Sequence, residues 1–226
     1  MFKKTLWFLI IFFAVRADTL PECPCSQIIH HNAFTACYSD SMKESKWVEY
    51  RLRKSELIAK RTPRTNKFLA DPMITTTKVM PNDYAKSGYD RGHMAPAEDM
   101  EYNSTDEAEC FYMTNMIPQL PGFNRGVWKK LEMRIRSWVM VDTNLIVITG
   151  PVLGPISKTI GPNKIMVPEA CYKLVIDSLN YVCFVIPNAI SHADLNIFKV
   201  SVDSLSRLTG ISFKKMIENR ANNWRE

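Results

Sequence analysis

The stretch Tyr89-Asp90-Arg91-Gly92-His93-Met94-Ala95-Pro96 sets a carboxylate, a guanidinium, a glycine and an imidazole side by side. Alone it is a charged turn. The chain holds four histidines, so the company this one keeps is worth following outward in both directions.

Downstream, from about Asn124 to Met140, the apolar residues Val127, Trp128, Leu131, Ile135 and Trp138 recur at spacings of three and four, which predicts an amphipathic helix. At about 100° per residue its other side gathers Asn124, Glu132 and Arg136, an amide oxygen, a carboxylate and a guanidinium. A plain Glu132–Arg136 surface pair at i, i+4 would also explain two of the three. Upstream, Lys43 to Lys67 carries nine Lys or Arg against three Glu and interleaves Trp47 and Tyr50, with Phe68 next to it. Glu98 to Glu109 carries six acids and no base, which reads as a solvated loop. Its Asn103-Ser104-Thr105 matches the N-glycosylation acceptor pattern.

Strands are expected at Lys46–Leu52, Cys110–Asn115 and Asn144–Thr149, and a hairpin at Ala170–Asp177 and Tyr181–Ile186 through Ser178-Leu179-Asn180. A short helix is expected at Asp203–Leu208, with Ser201 or Asp203 as cap and Gly210 just past its end. Strands with helices packed against them make a mixed α+β domain.

Taken in order, Tyr89 to Pro96, then Phe111-Tyr112-Met113-Thr114-Asn115-Met116-Ile117-Pro118-Gln119, then Asn124-Arg125-Gly126-Val127-Trp128 and Leu131-Glu132 resemble the DNA/RNA non-specific endonucleases of the ββα-metal, His-Me finger superfamily. Phe68-Leu69-Ala70-Asp71-Pro72, Asn82-Asp83-Tyr84 and the segment from Val202-Asp203 to Gly210 extend the resemblance over about residues 45 to 215. It implies an α+β fold, a central antiparallel sheet with packed helices and a ββα-metal finger. It further implies hydrolysis of phosphodiester bonds in DNA and RNA with little sequence preference, leaving 5′-phosphate ends. An inactive nucleic-acid-binding paralogue is the alternative.

The residue types suit that chemistry. Neutral imidazole suits a general base near neutral pH, which makes His93 the candidate. Mg²⁺, with Mn²⁺ as substitute, takes few protein oxygens and keeps its waters. The resemblance assigns the direct ligand to Asn124 and the holding of metal-bound waters to Glu132. Arg91, Arg136 and Arg64 are candidates for the scissile phosphate, with Arg61 a close competitor to Arg64. Asp90 is expected to fix the loop and Asn115 to support the site.

The chain opens Met-Phe-Lys-Lys and runs uncharged from Thr5 to Val15, and this opening stretch closes with Ala14-Val15-Arg16-Ala17. That predicts a signal peptide at 1–17 and a secreted or periplasmic protein, the apolar run falling short of the roughly 18–20 residues a span needs. Losing Lys3, Lys4 and Arg16 lowers the net charge from +6 to +3, so global charge is weak evidence for nucleic acid. A cysteine-containing segment at 18–44 and the endonuclease domain at 45–226 would follow. Cys23, Cys25, Cys37, Cys110, Cys171 and Cys183 are all disulfide candidates in an exported chain. Zinc-finger spacing and a Gly-x-Ser-x-Gly elbow are both missing, and no spacing of acids suggests a glycosidase pair.

Overall fold

The computed structural model describes residues 20–142, 144–222 and 224; the expected signal peptide at 1–17 lies outside them. The strands are β1 (Gln27–His30), β2 (Thr35–Ser39), β3 (Glu44–Arg53), β4 (Asp90–His93), β5 (Met116–Gln119), β6 (Asn144–Val152), β7 (Thr159–Ile160), β8 (Ile165–Met166), β9 (Ala170–Ile176), β10 (Tyr181–Pro187) and β11 (Lys199–Val200). The α-helices are α1 (Lys54–Leu57), α2 (Ala97–Met100), α3 (Ser104–Glu109), α4 (Lys129–Asp142) and α5 (Val202–Thr209). Seven strands form one antiparallel sheet in the order β1-β2-β3-β6-β9-β10-β11, while β4 and β5 pair as a separate antiparallel ribbon. The α+β architecture is as expected. Because β1 and β2 belong to the large sheet, it runs across the boundary drawn at residue 44.

Side-chain alternation gives the sheet two buried faces. On one, Val48, Tyr50, Leu52, Val147, Val175 and Phe184 pack with Leu131, Ile135 and Val139 of α4. On the other, Trp47, Ile148, Tyr172, Leu174 and Cys183 pack with Leu205 of α5 and Phe213. The hairpin of β9 and β10 pairs Tyr181 with Ile176 and Pro187 with Ala170, close to expectation. The expected C-terminal helix is α5, capped by the Ser201 side chain and stopped by Gly210 in the left-handed region at φ 69°.

Three expectations need correction. No strand spans 110–115; Met113–Asn115 is a 3-10 turn and the strand is Met116–Gln119. The Asn115 amide diverts this backbone, since Nδ2 donates to the Ala95 and Cys110 carbonyls and Oδ1 accepts from the Ala95 amide. The acidic stretch is not a solvated loop. It holds α2 and α3, buries Asp99, Asp106 and Glu107, and binds Thr65 through Glu107, Asn32 and Ala33 through Glu109, and Arg61 through Glu101. Asn103 itself stays exposed and caps α3 through Oδ1. Finally, the six cysteines do not pair throughout. Cys25 is bridged to Cys37, with the Cys23 sulfur 3.4 Å from that of Cys37, while Cys110, Cys171 and Cys183 are buried thiols. Cys171 and Cys183 belong to opposite faces of the sheet, beyond the reach of a disulfide.

Candidate active site

The ribbon β4–β5 carries Asp90, Arg91 and His93 beside the start of α4. Gly92 pairs with Ile117 across it. A Cβ at position 92 would lie 2.2 Å from Gln119 Oε1, so only a glycine lets the ribbon close over that buried amide. The chain then reaches α4 through a kinked turn, Phe123–Trp128, broken by non-helical angles at Gly126 (φ −105°, ψ −110°). The regular helix expected from Asn124 therefore begins only at Lys129, and Asn124 sits on the far side of the kink at Gly126.

A cavity of about 510 Å³ opens between ribbon and helix, and Arg64, Arg91, His93, Asp90, Asn124 and Glu132 all line it, together with Phe68, Arg125 and Lys129. His93 rests edge-on against Phe111 with ring centroids 5.0 Å apart, and Phe68 lies 5.7 Å away. Arg91 stacks 4.1 Å over Phe68 and Arg64 sits 5.3 Å from Phe111. Burial first, then the positive fields of Arg64 and Arg91, pull the His93 pKa from 6.5 down to about 3, which keeps the ring neutral. Its Nε2 is sealed from solvent and has no partner among the described residues, leaving Nδ1 as the nitrogen that meets the cavity. The turn after His93 is fixed by Asn115, whose carbonyl accepts from Met94 in addition to the amide contacts with Ala95.

Across the cavity, Asn124 Nδ2 donates to Asp90 Oδ2 at 2.9 Å, and Arg125 grips the same carboxylate through Nε and Nη2 at 2.9 and 2.8 Å. This contact settles which way the amide points: its oxygen takes no hydrogen bond from the described residues and is open to a hard cation. Glu132 also lines the cavity without a hydrogen-bond partner among the described residues. Burial pushes its pKa up to about 7, opposed first by the charge of Lys173. An amide oxygen and a carboxylate sharing one cavity, with no thiolate among its lining residues, fit a hard divalent ion.

The structure divides the candidate arginines. Arg64 and Arg91 face the cavity, whereas Arg61 is bound to Glu101 and the Glu98 carbonyl. Arg136 pairs neither with Glu132 nor with the cavity; it contacts Asp99 at 2.9 Å and Glu98 at 2.6 Å. Asp99 in turn accepts from the buried Tyr50 hydroxyl. Sequence reasoning missed Arg125, Asp99 and Lys173. Lys173 left a visible trace, a lysine in the middle of the otherwise apolar Ala-Cys-Tyr-Lys-Leu-Val-Ile strand.

A model of the DNA/RNA non-specific endonuclease family matches residues 15–219. The chain is 33% identical over 215 residues to the mitochondrial nuclease EXOG of Danio rerio, covering 86% of this chain but 62% of that protein, less than two thirds. It is 33% identical over 206 residues to a nuclease of Nostoc sp., covering 84% and 74%. Identity to the mitochondrial endonuclease G of Homo sapiens is 29% over 214 residues, covering 87% and 72%. Among solved structures, the EndoG/EndoGI complex matches with a TM-score of 0.81 at 28% identity, over 88% of this chain and 91% of the other.

Proposed function

The chain belongs to the DNA/RNA non-specific endonuclease family, and we propose from that membership that it is a metal-dependent endonuclease of DNA and RNA. The observation that carries this reading is the convergence of His93, Asn124 and Glu132 in one cavity with Arg64 and Arg91. His93 Nδ1, neutral and unpaired, takes the proton of a water aimed at phosphorus. Arg64 and Arg91, held by aromatic faces at fixed positions, receive the phosphate oxygens as their charge grows. The Asn124 oxygen and, through water, the Glu132 carboxylate would hold Mg²⁺, which would supply charge stabilisation for a departing 3′ oxygen, and loss of that oxygen would leave the phosphate on the 5′ end. None of these groups reads a base edge, which supports little sequence preference and binding that weakens as salt rises.

We also infer an oxidising destination, outside the cell or in a periplasm. The basic start and short apolar run before Ala17 support it, as does the Cys25–Cys37 bridge. No helix among the described residues is long and apolar enough to cross a membrane.

The test is plasmid DNA and a structured RNA incubated with the purified protein in Mg²⁺ or EDTA, alongside His93→Ala and Asn124→Ala. Degradation that needs Mg²⁺ and is lost in both variants is expected. Binding without cleavage by the parent would identify a nucleic-acid-binding paralogue, and full activity of His93→Ala would remove His93 as base.

A further inference from the structure

Lys173 is a fully buried cation that the chemistry above leaves unused. It sits in the interior strand β9, between β6 and β10, and is fully buried. Its neighbours on the same strand face, Cys171 and Val175, belong to the apolar core shared with α4. Taking an ammonium out of water is costly, and a methionine of similar length would fill this place without that cost. The fold alone therefore gives no reason for a lysine.

Its contacts supply one. Nζ donates to the Met94 carbonyl at 3.1 Å and to Thr149 Oγ1 at 2.8 Å, and lies 4.8 Å from the centre of the Trp128 ring. Met94 follows the base directly in sequence. Trp128 ends the kinked turn that carries Asn124 and precedes the helix that carries Glu132. One ammonium thus touches the ribbon that bears the base, the turn that bears the metal oxygen, and β6 of the sheet that supports both. Its charge also acts on two buried carboxylates, Glu132 and Asp99, without a hydrogen bond to either.

We infer that Lys173 is a positioning residue for the cleavage reaction, a buried cationic strut that fixes the separation of the His93 side from the Asn124 and Glu132 side of the cavity. It touches neither substrate nor metal. The inference rests on the endonuclease reading above, and it explains why a charge is retained where packing asks for none: only a multivalent donor can hold a carbonyl, a hydroxyl and an aromatic face at once.

The experiment compares the parent with Lys173→Met and Thr149→Val. Cleavage of a labelled duplex oligonucleotide is followed over a range of substrate concentrations at saturating Mg²⁺. A second readout, independent of turnover, is the ring resonances of His93 in the metal-free protein. Lys173→Met is expected to keep the fold and KM and to lose between about 10-fold and 100-fold in kcat, the range for groups that orient a site without reacting. Thr149→Val should lose less, in the same direction, and both should shift the His93 resonances. Failure of the parent to cleave would count against the function itself. An active parent with unchanged kcat and unchanged His93 resonances in Lys173→Met overturns the strut, and so does a kcat loss matched by an equal rise in KM. Should Lys173→Met not fold, Thr149→Val decides alone, and parental kcat in it overturns the proposal.

Discussion

Replacing Asp90 by asparagine tests how the Asn124 oxygen, the proposed metal ligand, is aimed. Asp90 accepts one hydrogen bond from Asn124 and two from Arg125. Arg125 is largely exposed, so its ion pair with Asp90 adds little to stability. The Asn124 contact is different in kind, because it alone distinguishes the two ends of that amide. A hydrogen bond to a carboxylate contributes about 1.5–3 kcal/mol, and losing most of it lets the amide sample both flips. The corresponding loss of metal affinity is about 10-fold to 100-fold, or about 1.4–2.8 kcal/mol. Initial cleavage rates of Asp90→Asn and the parent, measured across Mg²⁺ concentrations, should show the half-saturation point rising by that factor. Most of kcat should return at saturating Mg²⁺, and the melting temperature should barely move. A variant that keeps the parental half-saturation point would refute the reasoning, since the amide would then be aimed by something other than Asp90.

The His93 pKa of about 3 sets a sign for acid behaviour. The unfolded chain takes up a proton near 6.5 that the folded ring refuses, so stability is intact above about pH 6.5 and is lost as pH falls from there toward 3. The carboxylates Glu44, Glu49 and Glu132, raised by burial, gain stability over the same range as pH falls. The decline is therefore read as a loss by the parent relative to His93→Gln in denaturant titrations at pH 7 and pH 5, while His93 ring resonances of the parent stay those of the neutral form at both; a His93 titration midpoint near 6.5 would contradict the burial. Arg64→Ala should lower kcat/KM by about 10²-fold or more, as removal of a charge-stabilising donor does, and Arg61→Ala far less; equal losses in a cleavage assay would erase the distinction drawn from their partners. Asp99→Ala strips Tyr50 and Arg136 of a shared buried acceptor and should cost about 2–4 kcal/mol in chemical unfolding. Reducing Cys25–Cys37, which closes a loop of sequence separation 12, should cost about 3 kcal/mol and leave cleavage by the folded enzyme intact.

Much of the fold was legible because burial writes period into sequence. Val147 and Ile148 or Leu174 and Val175 fall on opposite faces as strand alternation requires, and Ser201 and Gly210 mark the ends of α5. The candidate site was legible where a residue type announces a task, as with His93. What escaped were roles decided by partners far along the chain. Nothing local tells Arg136 that Asp99 will claim it, or tells Glu107 that Thr65 waits across the surface. The acids from 98 to 109 looked solvated because their donors lie up to 77 residues away. Likewise, the cysteine count could not reveal that Cys171 and Cys183 are separated by the thickness of a sheet.

The turn from Phe123 to Trp128 makes the bearing of the Asn124 oxygen a matter of counting as well as of chemistry. The segment bends at Gly126, whose φ of −105° and ψ of −110° break the helical path between Asn124 and α4. Shortening the segment by one residue, even with Asn124 and Glu132 both retained, would let it relax into α4 and swing the amide around the helix axis. This stretch should therefore accept substitution at the exposed Arg125 far more readily than the loss of any residue. The spacing between the two oxygen donors is as much a part of the site as the donors themselves.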